Sequence, residues 1–364
     1  MKPVPRPGIL DIAAYVGGEA SLPGVNRVIR LASNENPLGP SAKAMAAYRA
    51  LAPELHRYPD GGATALRRAI AGTFKLDAAR IVCGAGSDEL IGLLVRAYAG
   101  IGDEVLFSRH GFLMYAISAR TVGAVPVAAP ETDLTADIDQ MLAHVTPRTK
   151  ICFLANPNNP TGSWLPKREV ARLRAGLPEN VVLAIDAAYA EYMTEAEYEP
   201  GVALVESHDN VVMLRTFSKI YGLAALRIGW AYAAPAIADV LNRVRGPFNV
   251  SAPALAAAEA ALADTSHVEN SRAHNARMRS WFLERLAKLG LEAWPSGGNF
   301  VLVRFPDVDT AVKQLNARGV IPRRMAPYGL PDCLRITVGT GEDMEIAADA
   351  LVGLAPADRK AGSR

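Results

Sequence analysis

Between Ala42 and Arg245 the chain repeats one pattern: helix-like stretches separated by short, uninterrupted apolar runs. The runs fall at 81–83, 104–107, 125–128, 151–155, 181–185, 211–214 and 228–232. A strand with one wet face alternates apolar and polar residues. Continuous apolar strands spaced by helices predict instead a parallel sheet covered on both faces. Gly246-Pro247 breaks the pattern. Beyond it, Ala252–Ala263 and His267–Leu289 read as helices, and Asn299–Arg304 and Leu334–Val338 as strands. The Pro- and Gly-rich segment before Glu35 predicts an extended arm, and the polar tail from Pro356 a frayed end.

The length of 364 residues exceeds what one core usually serves, so two domains are expected. We expect an arm at 1–35, a large doubly wound, mostly parallel α/β domain at 36–245 and a smaller α+β domain at 246–364. Lysines and arginines number 39 against 37 acidic residues, and no basic block stands out, which excludes a nucleic-acid or membrane-surface role. Cys83, Cys152 and Cys333 fit neither a zinc spacing nor a disulfide framework, so the chain is expected to be cytoplasmic and to hold no metal. The first residues lack the apolar stretch of a signal peptide, and no window is long and apolar enough to span a membrane.

Three polar segments follow apolar runs: Asn156-Pro-Asn-Asn159-Pro-Thr-Gly162, Asp186-Ala-Ala-Tyr189 and Ser218-Lys219, the last with Arg227 downstream. Each therefore sits at a strand's carboxyl end, where open α/β sheets place their ligands. A fourth segment, Gly84-Ala-Gly86-Ser87-Asp88-Glu89, reads as strand, turn and helix. Ser87 is suited to cap that helix, and the free amides of its first turn make an anion site. Asp186 is either a helix cap or a buried carboxylate that needs a partner.

Together these segments resemble the fold-type I aminotransferases that depend on pyridoxal 5'-phosphate (PLP), over nearly the whole chain. The resemblance makes Lys219 the catalytic lysine that carries PLP as a Schiff base. It implies that Gly86, Ser87, Ser218 and Arg227 hold the phosphate, and that Asp186 pairs with the pyridine nitrogen. Asn159 and Tyr189 then serve the phenolic oxygen, and Phe112, in Arg109-His-Gly-Phe112-Leu-Met-Tyr115, stacks on the ring. His110 is read as structural. Tyr58, in Arg57-Tyr-Pro-Asp60, matches a tyrosine that reaches the neighbouring subunit's phosphate, which implies a homodimer with shared sites. The arm packs with the C-terminal domain in this family.

The Asn34-Glu-Asn36-Pro loop, the Arg-Tyr-Pro-Asp turn and Cys333-Leu-Arg335-Ile-Thr-Val-Gly339 favour the subgroup acting on histidinol phosphate. Arg335 and Arg323 then take anionic groups of the substrate, with Arg324 competing for the second place. Tyr15 and Asn36 complete the expected substrate contacts. The implied reaction moves an amino group between histidinol phosphate and 2-oxoglutarate, giving imidazole acetol phosphate and glutamate in histidine synthesis. An aromatic amino-acid aminotransferase, a threonine-phosphate decarboxylase and a non-enzymatic regulator of the same fold are the alternatives.

Overall fold

The computed structural model describes residues 3–14, 21–23 and 27–356. The apolar runs become seven strands: β1 Ile81–Gly84, β2 Glu104–Ser108, β3 Val125–Ala129, β4 Thr149–Ala155, β5 Val182–Asp186, β6 Val211–Thr216 and β7 Gly229–Ala233. They form one sheet in the order β1-β7-β6-β5-β4-β2-β3. All pairings are parallel except those of β7, which runs antiparallel to both β6 and β1. An apolar run carries no direction, so this reversal was invisible in the sequence.

Successive residues of each strand enter opposite cores, as pleating demands. In β6, Val211 and Met213 join the cluster containing Leu66, Ile70 and Trp230, while Val212 and Leu214 join that of Leu90, Leu94 and Tyr115. Helices on both faces supply the remaining walls, so the strands are apolar throughout. Burying one such aliphatic side chain stabilises by about 1.5–3 kcal/mol, which is why the runs tolerate so few polar residues.

A second sheet is wholly antiparallel, in the order β8-β9-β11-β10: β8 Glu292–Trp294, β9 Phe300–Arg304, β10 Arg323–Arg324 and β11 Cys333–Thr337. Strands β8 and β10, three and two residues long, carry too little pattern to stand out in the sequence. Helix Thr265–Lys288 packs near this sheet through Phe282 and Leu286. The short strand Ile29–Arg30 pairs in parallel with Val320–Ile321, so residues 31–36 leave this edge and run across the carboxyl ends of the large sheet.

Candidate active site

The carboxyl ends of β4, β5 and β6 open into a cavity of about 240 Å3. Phe112, Asn159, Asp186, Tyr189, Ser218, Lys219, Arg227, Arg323 and Arg335 all line it, from segments far apart in the chain. The expected residues thus converge.

Asp186 ends β5, is buried, and faces the cavity. Tyr115 donates its hydroxyl proton to Asp186 Oδ2 at 2.7 Å, while Oδ1 has no hydrogen-bond partner among the described residues. Burial pushes the carboxyl up to about 6, against the pull of the Tyr115 hydrogen bond and the nearby Ala188 amide. No helix starts at Asp186, so the alternative of a helix cap falls away. An orphaned, buried carboxylate oxygen calls for a cationic N–H donor from a bound group, which a pyridinium nitrogen supplies.

Lys219 follows β6 and is anchored by its buried neighbours Phe217 and Ile220. Its ammonium reaches Ser33 O at 3.4 Å and lies 5.8 Å from the Tyr189 ring centre. Burial, and then the Arg335 and Arg227 charges, lower its pKa to about 8. A lysine so placed holds a substantial neutral fraction near neutrality, as a nucleophile or proton shuttle requires.

Also in the cavity wall, Arg227 adopts a left-handed backbone (φ 51) and aims its guanidinium at the turn after β1. It donates to Ser218 Oγ at 3.2 Å and to Asp88 Oδ2 at 3.0 Å. Gly86 has φ 84, and a Cβ there would collide with Arg227 Nη2, so only glycine lets the turn and the guanidinium meet. Ser87 was expected to cap the following helix. Instead Gly86 holds the cap position and Ser87 opens the helix Ser87–Tyr98, its side chain lining the cavity. Glu89 Oε2 accepts from the Ala85 amide at 2.6 Å and so holds the turn. The helix start, Ser87, Ser218 and Arg227 form a cradle for one phosphate group.

Asn159 Oδ1 accepts from Arg335 Nη1, which leaves the Asn159 amide NH2 as its donor toward the cavity. Arg335 is buried and also donates to Ala32 O at 2.6 Å. Arg323 stands directly opposite Arg335 in the β10–β11 ladder and lines the cavity, whereas Arg324 turns outward to Asp309 at 2.7 Å. Strand alternation thus resolves the competition in favour of Arg323. Phe112 caps the helix Leu113–Val122 and meets Tyr115 edge-on at 6.0 Å. His110 is paired with Glu131 at 2.6 Å away from the cavity.

One expected contact falls elsewhere. Asn36 is buried, but its amide donates to Ile220 O at 2.7 Å and to Ser271 Oγ at 3.0 Å, so it fixes the chain beside Lys219 and does not line the cavity. Tyr58 is 83% exposed, stacks on Phe248 at 4.7 Å between ring centres, and lies outside its own chain's cavity. Tyr15 lies outside the described residues. The sequence reading passed over Tyr115 and Asn34. Tyr115 sits one helical turn beyond Phe112, and Asn34 in the same loop as Asn36, so spacing was the available signal. Among the described residues no group of three or more His, Cys, Asp or Glu is placed to hold a metal ion.

The family described as aminotransferase class I and II matches residues 26–351. A histidinol-phosphate aminotransferase of Paramagnetospirillum magneticum is 61% identical over 354 residues, covering 96% of this chain and 98% of that protein. One from Rhodospirillum centenum is 59% identical over 353 residues, with coverage of 96% and 98%. Among solved structures, the histidinol-phosphate aminotransferase of Sinorhizobium meliloti in complex with pyridoxal-5'-phosphate superposes with a TM-score of 0.83. It shares 32% identity, over 89% of this chain and 90% of that one.

Proposed function

The chain belongs to the class I and II aminotransferases, and from that membership and its cavity we infer that it transfers the amino group of histidinol phosphate to 2-oxoglutarate. The cofactor is PLP, and the reaction is an amino-transfer step of histidine synthesis. The observation that carries the cofactor reading is the orphaned Asp186 Oδ1 in one cavity with a phosphate cradle and Lys219.

Bound there, PLP supplies an electron sink for the charge that develops at the substrate's Cα. Asp186 would hold a positive charge on the ring nitrogen, and Tyr115 keeps that carboxylate aimed. Ser87, Ser218 and Arg227 would hold the phosphate, Phe112 would cover the ring, and Asn159 and Tyr189 would serve its phenolic oxygen. Lys219 Nζ, free once the substrate's amine has replaced it, would take the proton from the substrate's Cα and carry it across the intervening nitrogen to the cofactor's C4′. Its lowered pKa suits both directions of that transfer.

Arg335 and Arg323 take the substrate's phosphate, or the carboxylates of glutamate, in the same cavity as the Arg227 cradle. Two adjacent guanidinium groups suit a dianion better than a single carboxylate. This arrangement favours histidinol phosphate over phenylalanine or tyrosine. Asp186, Lys219, Arg227, Tyr189 and Asn159 together also argue against a regulator that has merely kept the fold.

We read the working unit as a homodimer in the cytoplasm. Tyr58 and Phe248, exposed as a stacked pair beside Leu55, suit burial against a second copy, where Tyr58 reaches the partner's phosphate cradle. No described helix is long and apolar enough to cross a membrane. The arm, the residues 36–245 and the residues 246–364 are the units we propose for this chain.

A donor panel tests the substrate. Single-turnover bleaching of the enzyme's visible band is expected fastest with histidinol phosphate, ahead of phenylalanine, aspartate and threonine phosphate. Release of CO2 from threonine phosphate, or a faster reaction with phenylalanine, overturns the assignment.

A further inference from the structure

Tyr189 carries one hydroxyl proton, and the direction in which it points decides whether the residue gives or takes a hydrogen bond in the cavity. The direction is readable from a chain of bonds that begins at a donor with no choice. The backbone N–H of Asn34 can only donate, and it does so to Thr337 Oγ1 at 3.0 Å. Thr337 Oγ1, accepting there, sends its own proton to Asn34 Oδ1 at 3.1 Å. The Asn34 amide is thereby oriented, oxygen to Thr337 and nitrogen to Tyr189. Its Nδ2 donates to Tyr189 Oη at 2.9 Å. With that lone pair taken, and with no described residue accepting from it, the Tyr189 O–H faces the cavity.

The supports of this chain are firm. Asn34 is 1% exposed, Thr337 2% and Tyr189 3%, so water cannot substitute for a lost partner. Asn34 sits at φ 55, a backbone that asparagine accepts more readily than most residues, and Asn299 Nδ2 holds its carbonyl at 3.0 Å. Tyr189 packs edge-on against Phe300.

We propose that Asn34 and Thr337 are positioning residues that fix Tyr189 as a hydrogen-bond donor to the cofactor's phenolic oxygen. The strand β11, through Thr337, thus sets a property of Tyr189 without touching it, by way of Asn34 in the loop at 33–36. The inference rests on the reading of Tyr189 as a cofactor contact. A bond donated to that oxygen withdraws negative charge that would otherwise retain the proton on the nearby nitrogen linking Lys219 to PLP. Losing the bond should therefore raise the pH at which that nitrogen deprotonates.

The test is a spectrophotometric pH titration of the purified holoenzyme's visible band. Tyr189→Phe gauges loss of the donor. Thr337→Val removes the hydroxyl at nearly constant shape, Thr337→Ser keeps it, and Asn34→Asp places an acceptor against Tyr189 so that its proton turns away. One hydrogen bond corresponds to a shift of about one pH unit, about 1.4 kcal/mol. The expected result is an upward shift of that size in Tyr189→Phe, Thr337→Val and Asn34→Asp, with Thr337→Ser at the parent value. A shift in Tyr189→Phe with none in Thr337→Val and Asn34→Asp overturns the relay alone. No shift in Tyr189→Phe overturns the cofactor role of Tyr189 and the relay with it.

Discussion

Arg323→Ala isolates the group on which substrate identity depends. Arg335, the other member of the pair, is 6% exposed and spends part of its guanidinium on Asn159 Oδ1 and Ala32 O. Its replacement would disturb the site as well as the substrate. Arg323 is only half-buried, stands opposite Arg335 in the ladder and faces the same cavity. A hydrogen bond to a charged group contributes about 1.5–3 kcal/mol. If Arg323 makes one such contact to the phosphate, Arg323→Ala should lower kcat/KM for histidinol phosphate roughly ten- to hundredfold. Phenylalanine has one carboxylate, which Arg335 takes alone, so its kcat/KM should fall much less. Steady-state kinetics with both donors measure the contrast, and Tm recorded in parallel separates a lost anchor from a lost fold. Equal losses for the two donors, or an unchanged rate with histidinol phosphate, would refute the assignment of Arg323 to the phosphate.

Two further outcomes follow from the site. Lys219 must be neutral to attack PLP, and a pKa of about 8 leaves roughly a quarter of it neutral at pH 7.5, against roughly one part in a thousand for an ordinary lysine. The rate of apoenzyme reconstitution by stopped-flow absorbance should therefore rise with pH through about 8 and level off above about 9, where deprotonation is nearly complete. A rate still climbing tenfold per unit beyond pH 9 contradicts the lowered pKa. Tyr58→Phe should leave a dimer by sedimentation yet release PLP about tenfold faster, the cost of one bond to a charged phosphate. A fully active monomer would remove the shared site.

Much of the architecture was legible because burial on both faces leaves a local mark. The seven apolar runs named the seven strands of the large sheet, and the polar residues ending β4, β5 and β6 marked the cavity floor. The segments carrying Asn159, Asp186, Tyr189 and Lys219 were placed at strand ends for the same reason, while the choice of these residues and of Arg227 came from the family resemblance. Glycine at 86 was readable as a turn, though its reason, the approach of Arg227, was not.

Long-range pairing decided the rest. Tyr115 became the partner of Asp186 only when the helix after β2 packed against β5, 71 residues away. The same holds for the direction of β7, for Arg323 in place of Arg324, and for Asn36 turning to Ile220. Asn34 meets Tyr189 across 155 residues and Thr337 across 303. Periodicity records only whether a position is buried. It carries no information about which distant donor meets which acceptor, and in this cavity that matching follows from how β11, the loop at 33–36 and the ends of the large sheet are brought together.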